Sequence, residues 1–381
     1  MASRAGEPVR FLHTADLHLG RSFSGLGNPR ATLRQEDLRG VLRRLKDLAL
    51  EEGVNLFLIS GDLFDHPCPR PHELEVAEEV FRELHSGGTR TFIIPGNHDY
   101  LAPGSVWQSH FGEGYPPARV FLSREVCHMD DLALSIAGIP FDRALPEARP
   151  LKDLPPRLFP RYPRSILLCH GSLEGVPGDL EAPLSREEVE ALPFNYVALG
   201  HYHRSDLVFE SSHKAAAYPG SPETLSFHER NLGERVTLLG ELSPEGGVSI
   251  RKVTLDGRRA EVLELDLTAF EDEVKLREAL RERAGEGTML KLKLKGSPTL
   301  RILKEAESLE ERFASSFFHL EVDLRDLFPP SDLSLDPRFI SGRFCLKLKE
   351  RISRAGEEEG AGLARAALRL GLRALREVER P

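Results

Sequence analysis

Aspartate, asparagine and histidine gather in this chain in five short clusters: Asp16-x-His18, Gly61-Asp62, Gly96-Asn97-His98-Asp99, His170-Gly171 and Gly200-His201-x-His203. Imidazole nitrogens and carboxylate or amide oxygens are the donors that hold transition-metal dications, and side chains of these types in such number suit two ions in mixed coordination. Such a set favours manganese, iron or zinc over magnesium and calcium, which prefer shells of oxygen. No thiolate belongs to it, which argues against a structural zinc. Taken singly, each cluster has an ordinary explanation. A loop histidine is most often a surface or core residue, an aspartate after a strand caps a turn or helix, and Gly-Asn-His-Asp could be no more than a turn. Taken together, five clusters at corresponding positions are poorly explained by chance.

That correspondence lies in the elements around them. Residues 9–13 (VRFLH), 54–60 (VNLFLIS) and 91–95 (TFIIP) read as buried strands, each running into a cluster. Helical spacing fills residues 32–52 and 73–86 between them. Strand alternating with helix is the pattern of a layered α/β domain. Residues 132–139, 165–169 and 196–199 are further strands, the last two ending at His170 and at Gly200-His201, and residues 144–164 form a Pro- and Arg-rich surface excursion. In an open α/β sheet, ligands bind beyond the carboxyl ends of the strands, so groups distant in sequence can converge there. Strands around residues 206–210, 235–242 and 248–255 would close this core.

Composition shifts near Leu267. A charged helix over 270–283, a strictly alternating strand over 288–295, a helix over 299–313 and a second alternating strand over 317–324 make a small α/β domain. The alternating Lys291, Lys293 and Lys295 suit either a solvated strand face or a strip that contacts DNA. Residues 329–337 (PPSDLSLDP) read as a linker. A helix bearing Ile340, Phe344, Leu348 and Ile352 follows, then one bearing Leu368, Leu372 and Leu375 with Arg365, Arg369, Arg373 and Arg376 on another face. The expected division is therefore 1–265, 266–328 and 329–381.

Bulk properties restrict the class. Net charge is −9, which excludes a coat that binds nucleic acid through global charge but not an enzyme with a local site. The cysteines, Cys68, Cys127, Cys169 and Cys345, form no C-x-x-C pair and read as reduced thiols. No apolar run of about 18 residues could span a bilayer, and the first residues lack a signal-peptide pattern. No membrane association and a cytoplasmic location are the expectations.

The clusters D-x-H, G-D, G-N-H-D, H and G-H-x-H resemble the calcineurin-like metallophosphoesterases, with all five blocks present. That resemblance implies a two-sheet core with helices outside. It implies one metal held by Asp16, His18 and His203, a second by Asn97, His170 and His201, and Asp62 as bridge. His98 would be the catalytic acid or transition-state contact, with Asp99 orienting its ring. The flanking sequences narrow the resemblance. FLHTADLHLG at 11–20, LISGDLFD at 58–65, YVALGHYH at 196–203 and YPGSP at 218–222 resemble the SbcD-type nucleases of DNA double-strand-break repair.

This narrower family implies a manganese-dependent nuclease, with 3′-5′ exonuclease action on duplex DNA and endonuclease action on single strands. Iron or zinc could replace manganese. It implies a small capping domain that contacts DNA, helices that bind an SMC-like ATPase of the SbcC type, and a homodimer formed through helices near residues 70–110. Some members carry a histidine near the position of His66 that tunes exonuclease action. Two other functions are compatible with the chemistry. A small-molecule or cyclic-nucleotide phosphoesterase of the same superfamily would not need the roughly 140 residues after Glu241. A non-catalytic DNA-end-binding scaffold would not need an intact ligand set.

Overall fold

Strands that are apolar at every position must be covered on both faces, and that requirement dictates the layers here. A computed structural model describes residues 6–327 and 340–355, except 113, 177–179, 228–231, 233 and 271, together with 367 and 371. Its elements run β1 (Val9–Thr14), α1 (Asn28–Glu51), β2 (Leu56–Ser60), α2 (Pro71–Ser86), β3 (Arg90–Ile94), α3 (Val106–Ser109), β4 (Ala118–Val120), β5 (Glu125–Met129) and β6 (Leu134–Ile139). They continue with β7 (Arg164–His170), α4 (Arg186–Ala191), β8 (Tyr196–Gly200), β9 (Asp206–Glu210), β10 (Ala215–Tyr218), β11 (Val236–Leu242) and β12 (Val248–Thr254).

The strands form two six-stranded mixed sheets, ordered β12-β11-β1-β2-β3-β4 and β5-β6-β7-β8-β10-β9. In the first, β1 to β4 are parallel, and in the second β6, β7, β8 and β10 are. Alternate residues of each strand serve different layers. Phe11, Leu56, Leu58 and Phe92 meet Ile136, Ile166, Leu168 and Tyr196 between the sheets. The intervening Leu12, Phe57, Ile59 and Ile93 pack against Leu38, Leu42, Val80 and Phe81 of α1 and α2. On the far side, Leu167, Val197 and Leu199 lie under Leu151, Val189 and Phe194. The result is the expected two-sheet core with helices outside. The unexpected strands β4, β5 and β10 are short or compositionally atypical. Ala215-Ala216-Ala217 has no intrinsic strand preference and is extended because it pairs with β8.

The chain divides into two compact units between Gly257 and Arg258. The second contains β13 (Arg259–Asp266), α5 (Glu273–Arg281), β14 (Gly285–Gly296), α6 (Leu300–Phe313), β15 (Phe317–Leu327) and α7 (Ile340–Ala355). The division therefore falls before the expected 265/266 boundary. The reason is β13, which pairs in parallel along its whole length with β14 and so belongs to the second unit. β14 in turn pairs in parallel with β15, and the helices cover Leu290, Leu292 and Leu294. The expected linker at 329–337 and the last arginine-bearing helix lie outside the described residues.

The lysine strip of β14 faces carboxylates across both neighbouring strands. Lys291 is opposite Glu321, Lys293 lies between Glu264 and Asp323, and Lys295 is opposite Asp266. Lys291 Nζ donates to Glu321 at 2.6 Å, and Lys295 is bonded to Glu264. Among the described residues, no helix is long and apolar enough to cross a membrane.

Candidate metal centre

Five strands deliver the polar clusters to one edge. β1, β2 and β3 of the first sheet end at Asp16-x-His18, Asp62 and Asn97-His98, while β7 and β8 of the second end at His170 and His201-x-His203. Backbone pairing continues beyond the strand ends. Asp16 N donates to Gly61 O at 3.1 Å, His18 N to Asp62 O at 3.0 Å and Leu19 N to Leu63 O at 2.9 Å. Asp16, His18 and Asp62 are thereby held side by side. Their backbones carry φ of 54°, 50° and 53°, and His201 has 116°. These are four of the eight non-glycine residues with positive φ among those described. A left-handed L-residue costs roughly 1–2 kcal/mol, so strain is concentrated where side chains must turn inward. Gly200 serves the same end differently: a Cβ there would collide with the Ser60 carbonyl, so glycine lets the two sheets close at this edge.

The donor atoms converge. Ligand atoms of Asp16, His18 and His203 lie within 4.8 Å of one another, as do those of His18, Asp62 and His98 and those of Asp16, Asp62 and His170. Asp62 Oδ2 is 3.5 Å from His18 Nε2 and 3.6 Å from His170 Nε2, so it lies between the two expected ligand groups. Asn97 Oδ1 is 2.8 Å from His170 Nε2 and 3.4 Å from His201 Nδ1. The Asp16 carboxylate accepts the His201 backbone N–H at 3.1 Å, joining the sheets.

His170 supplies the test of whether dications fit. Its Nδ1 lies 2.8 Å from the Ser60 carbonyl, an acceptor only, so Nδ1 carries the proton. Burial holds the ring's pKa at about 3, so it is neutral and Nε2 presents a lone pair. That lone pair faces the Asn97 oxygen and the Asp62 carboxylate. Buried acceptors aimed at acceptors are repulsive by themselves and are satisfied by a cation among them. His18 is arranged likewise. Its Nδ1 is 3.0 Å from Asp65 Oδ1, and burial, then the neighbouring His203 and His98, keep its pKa well below the usual histidine range. Burial pushes the Asp62 carboxyl up, partly opposed by His98. A nearby dication would reverse that shift.

The residues assigned to catalysis are placed differently from one another. His98 donates its backbone N–H to Asp62 Oδ1 at 2.9 Å, and its ring meets His18 edge-on at 4.5 Å with 42% of the side chain exposed. Asp99 is fully buried, and its oxygens accept Gly96 N at 2.7 Å and Phe64 N at 3.1 Å. Its carboxylate thus fastens the loops after β2 and β3 instead of holding the His98 ring. The carboxylate beside that ring belongs to Asp65, 3.8 Å from His98 Nδ1 and 3.4 Å from Arg21. His66 is exposed and accepts Cys68 N within its own loop, whereas Asp65 beside it meets His18 and Arg21.

Other contributors had no signal in the clusters. His13 lies buried behind the centre, its Nδ1 2.7 Å from Tyr196 Oη and its Nε2 3.0 Å from Ser60 Oγ. Burial lowers its pKa to about 3. Since Ser60 Oγ donates to Ala198 O at 3.0 Å, it accepts from His13 Nε2, and Tyr196 donates to Nδ1. This neutral relay pins β1 and β2 to β8. Glu181, from an irregular segment, accepts Asn97 Nδ2 at 2.7 Å.

Known proteins are similar to this chain. Residues 9–205 match the family model described as Calcineurin-like phosphoesterase. The metallophosphoesterase YhaO of Bacillus subtilis is 29% identical over 305 residues, covering 76% of this chain and 70% of its own. The DNA double-strand break repair protein Mre11 of Sulfurisphaera tokodaii is 29% identical over 283 residues, or 71% and 69% of the two chains. One component of the nuclease SbcCD of Staphylococcus epidermidis is 26% identical over 262 residues, covering 61% and 66%. With its two sheets and convergent donors, the chain belongs to the calcineurin-like phosphoesterase family, whose fold implies a dinuclear divalent-metal site.

Proposed function

We propose that the chain is a DNA nuclease of double-strand-break repair, with manganese as its metal, 3′-5′ exonuclease action on duplex DNA and endonuclease action on single strands. The observation that carries this reading is the extent of likeness. Alignment with the Mre11 protein and with the SbcCD nuclease component runs over 283 and 262 residues, beyond the family match at 9–205. In this reading Asp16, His18 and His203 hold one ion, Asn97, His170 and His201 hold the other, and Asp62 reaches both. Two bound dications would supply a hydroxide nucleophile at neutral pH and neutralise charge developing on the phosphate. His98, exposed at the rim and beside Asp65, is available to give a proton to the leaving oxygen. Asp99 acts indirectly, by fixing the loop that carries Asn97 and His98.

Residues 258–328 of the second unit are the proposed DNA-contacting cap, the linker and helices expected from 329 onward the surface for an SMC-like ATPase, and helices near 70–110 the homodimer contact. α7 supports the second assignment through Leu346, which stands 40% exposed on an otherwise amphipathic helix. The test is hydrolysis of end-labelled duplex and circular single-stranded DNA with Mn2+, beside nucleotide monoesters and cyclic nucleotides. Cleavage of both DNA forms is the expected outcome. A second reading, a small-molecule phosphoesterase, is favoured by the lysine strip, in which Lys291 and Lys295 already have carboxylate partners in the sheet. Turnover of nucleotides without DNA cleavage selects it.

A further inference from the structure

An asparagine amide has two nearly identical faces, and only its oxygen can hold a cation. Something must therefore decide which way Asn97 points. At the centre its Oδ1 is 2.8 Å from His170 Nε2, an acceptor in the tautomer that Ser60 enforces. Without a cation this contact alone would favour the flipped amide, with Nδ2 donating to His170. On the other side stands Glu181. Its carboxylate is an acceptor only, and Oε2 takes Asn97 Nδ2 at 2.7 Å. Flipping the amide would set an oxygen against that carboxylate.

Glu181 is held in place by structure built for the purpose. Its N–H donates to Ser172 Oγ at 3.1 Å, and Ser172 N donates back to Glu181 O at 2.9 Å. Leu184 N donates to Ser172 O at 2.8 Å, and Leu173 and Leu184 form an isolated bridge. The segment is thus laced to the exit of β7, two residues after the ligand His170. Ala182 follows with φ of 46°, and a Cβ on Gly171 would strike its carbonyl. The glycine after His170 is therefore needed to admit this segment. The other carboxylate oxygen, Oε1, is 3.7 Å from Arg143, which also lies over the Tyr100 ring at 5.4 Å.

We propose that Glu181 is a positioning residue for the metal held by Asn97, His170 and His201: it fixes the Asn97 amide with its oxygen inward before any ion arrives. The inference rests on the two-metal reading above. Its chemistry is that of an outer partner that orients a ligand, whose loss typically lowers metal affinity about 10- to 100-fold.

The experiment is calorimetric titration of Mn2+ into the metal-stripped full-length chain, with melting followed in the metal-free state. Two binding events are expected for the unsubstituted chain. Glu181→Ala should weaken one of them by about 10-fold or more, spare the other and leave the metal-free melt unchanged. Glu181→Gln, whose Oε1 still accepts from Asn97, should recover part of the loss. Asn97→Ala should weaken the same event, and adding Glu181→Ala to it should cost nothing further, because no amide remains to orient. Unchanged binding in Glu181→Ala overturns the proposal, and so does an additive loss in the double variant or a lowered metal-free melt. Fewer than two Mn2+ bound by the unsubstituted chain would instead overturn the two-metal reading itself.

Discussion

The carboxyl edge of the two large sheets and the outer strands of the small sheet are both dense in ionisable groups, yet they are organised in opposite ways. In the small sheet each lysine of β14 sits across from a carboxylate, and Lys291 and Lys295 are ion-paired with Glu321 and Glu264. At the carboxyl edge acceptors face acceptors: His170 Nε2 against Asn97 Oδ1, and Asp62 Oδ2 against His18 and His170. The first arrangement is complete without a ligand. The second is held only by left-handed backbone and by partners such as Asp65, Ser60 and Glu181, and it becomes favourable when cations enter. Charge density alone says little about function. What matters is whether the groups satisfy one another.

The largest effect expected of this contrast is at Asp62. Asp62→Asn removes the carboxylate that lies between His18 and His170, and hydrolysis should fall by roughly 10^3-fold or more, since metal assistance supplies several kcal/mol. The metal-free melting temperature should hold or rise, because a buried carboxyl no longer has to ionise. A fall in melting temperature with activity retained would break the comparison. Next comes His98→Asn, for which loss of a general acid predicts a decrease of about 10^2- to 10^4-fold in turnover with Mn2+ stoichiometry unchanged. Loss of a bound ion in that variant would make His98 a ligand instead.

A third outcome concerns pH. Burial raises Asp62 to about 7, so its contribution to metal-free stability is complete below the ordinary aspartate value and is lost as pH rises through about 7. Asp99, raised to about 8 by burial and then by Asp62, changes in the same direction. Burial lowers His13 and His170 to about 3, so their contribution is complete above 6.5 and lost as pH falls through about 3. Between pH 6.5 and 8 the carboxyl contributions are the ones that change, and they destabilise the metal-free chain. Bound ions remove the Asp62 penalty and compete with protons at lower pH. The rise in melting temperature on adding Mn2+ should therefore be larger at pH 8 than at pH 6, by differential scanning calorimetry. A rise that is flat across this range, or larger at pH 6, would separate Asp62 from the ions.

The smallest effect belongs to the paired lysines. Lys293→Ala with Lys295→Ala should leave the slope of log affinity for duplex DNA against log salt unchanged. A strip that contacted phosphates would lose about 0.9 in slope for each contact removed.

Much of this was legible along the chain, for a local reason. A buried strand declares itself by continuous apolar residues, and a cluster immediately after it sits by necessity at the strand's carboxyl end. Asp16, His18, Asp62, Asn97, His98, His170, His201 and His203 were all found this way. β10 was not, because Ala215-Ala216-Ala217 is extended only through its pairing partners. Nor was β13, whose alternation of charged and apolar residues follows a core sheet without a break in composition.

By itself, then, the sequence determined the inventory: which donors this protein has, that they end strands, and which family their order resembles. Tertiary structure decided who faces whom. The tautomer of His170 depends on a carbonyl from β2 in the other sheet, the carboxylate beside His98 is Asp65 and not its neighbour Asp99, and Asn97 takes its orientation from Glu181, 84 positions away. Strand periodicity is written locally, every second residue. Hydrogen-bond partnership across two packed sheets depends on their mutual placement, which no local pattern encodes.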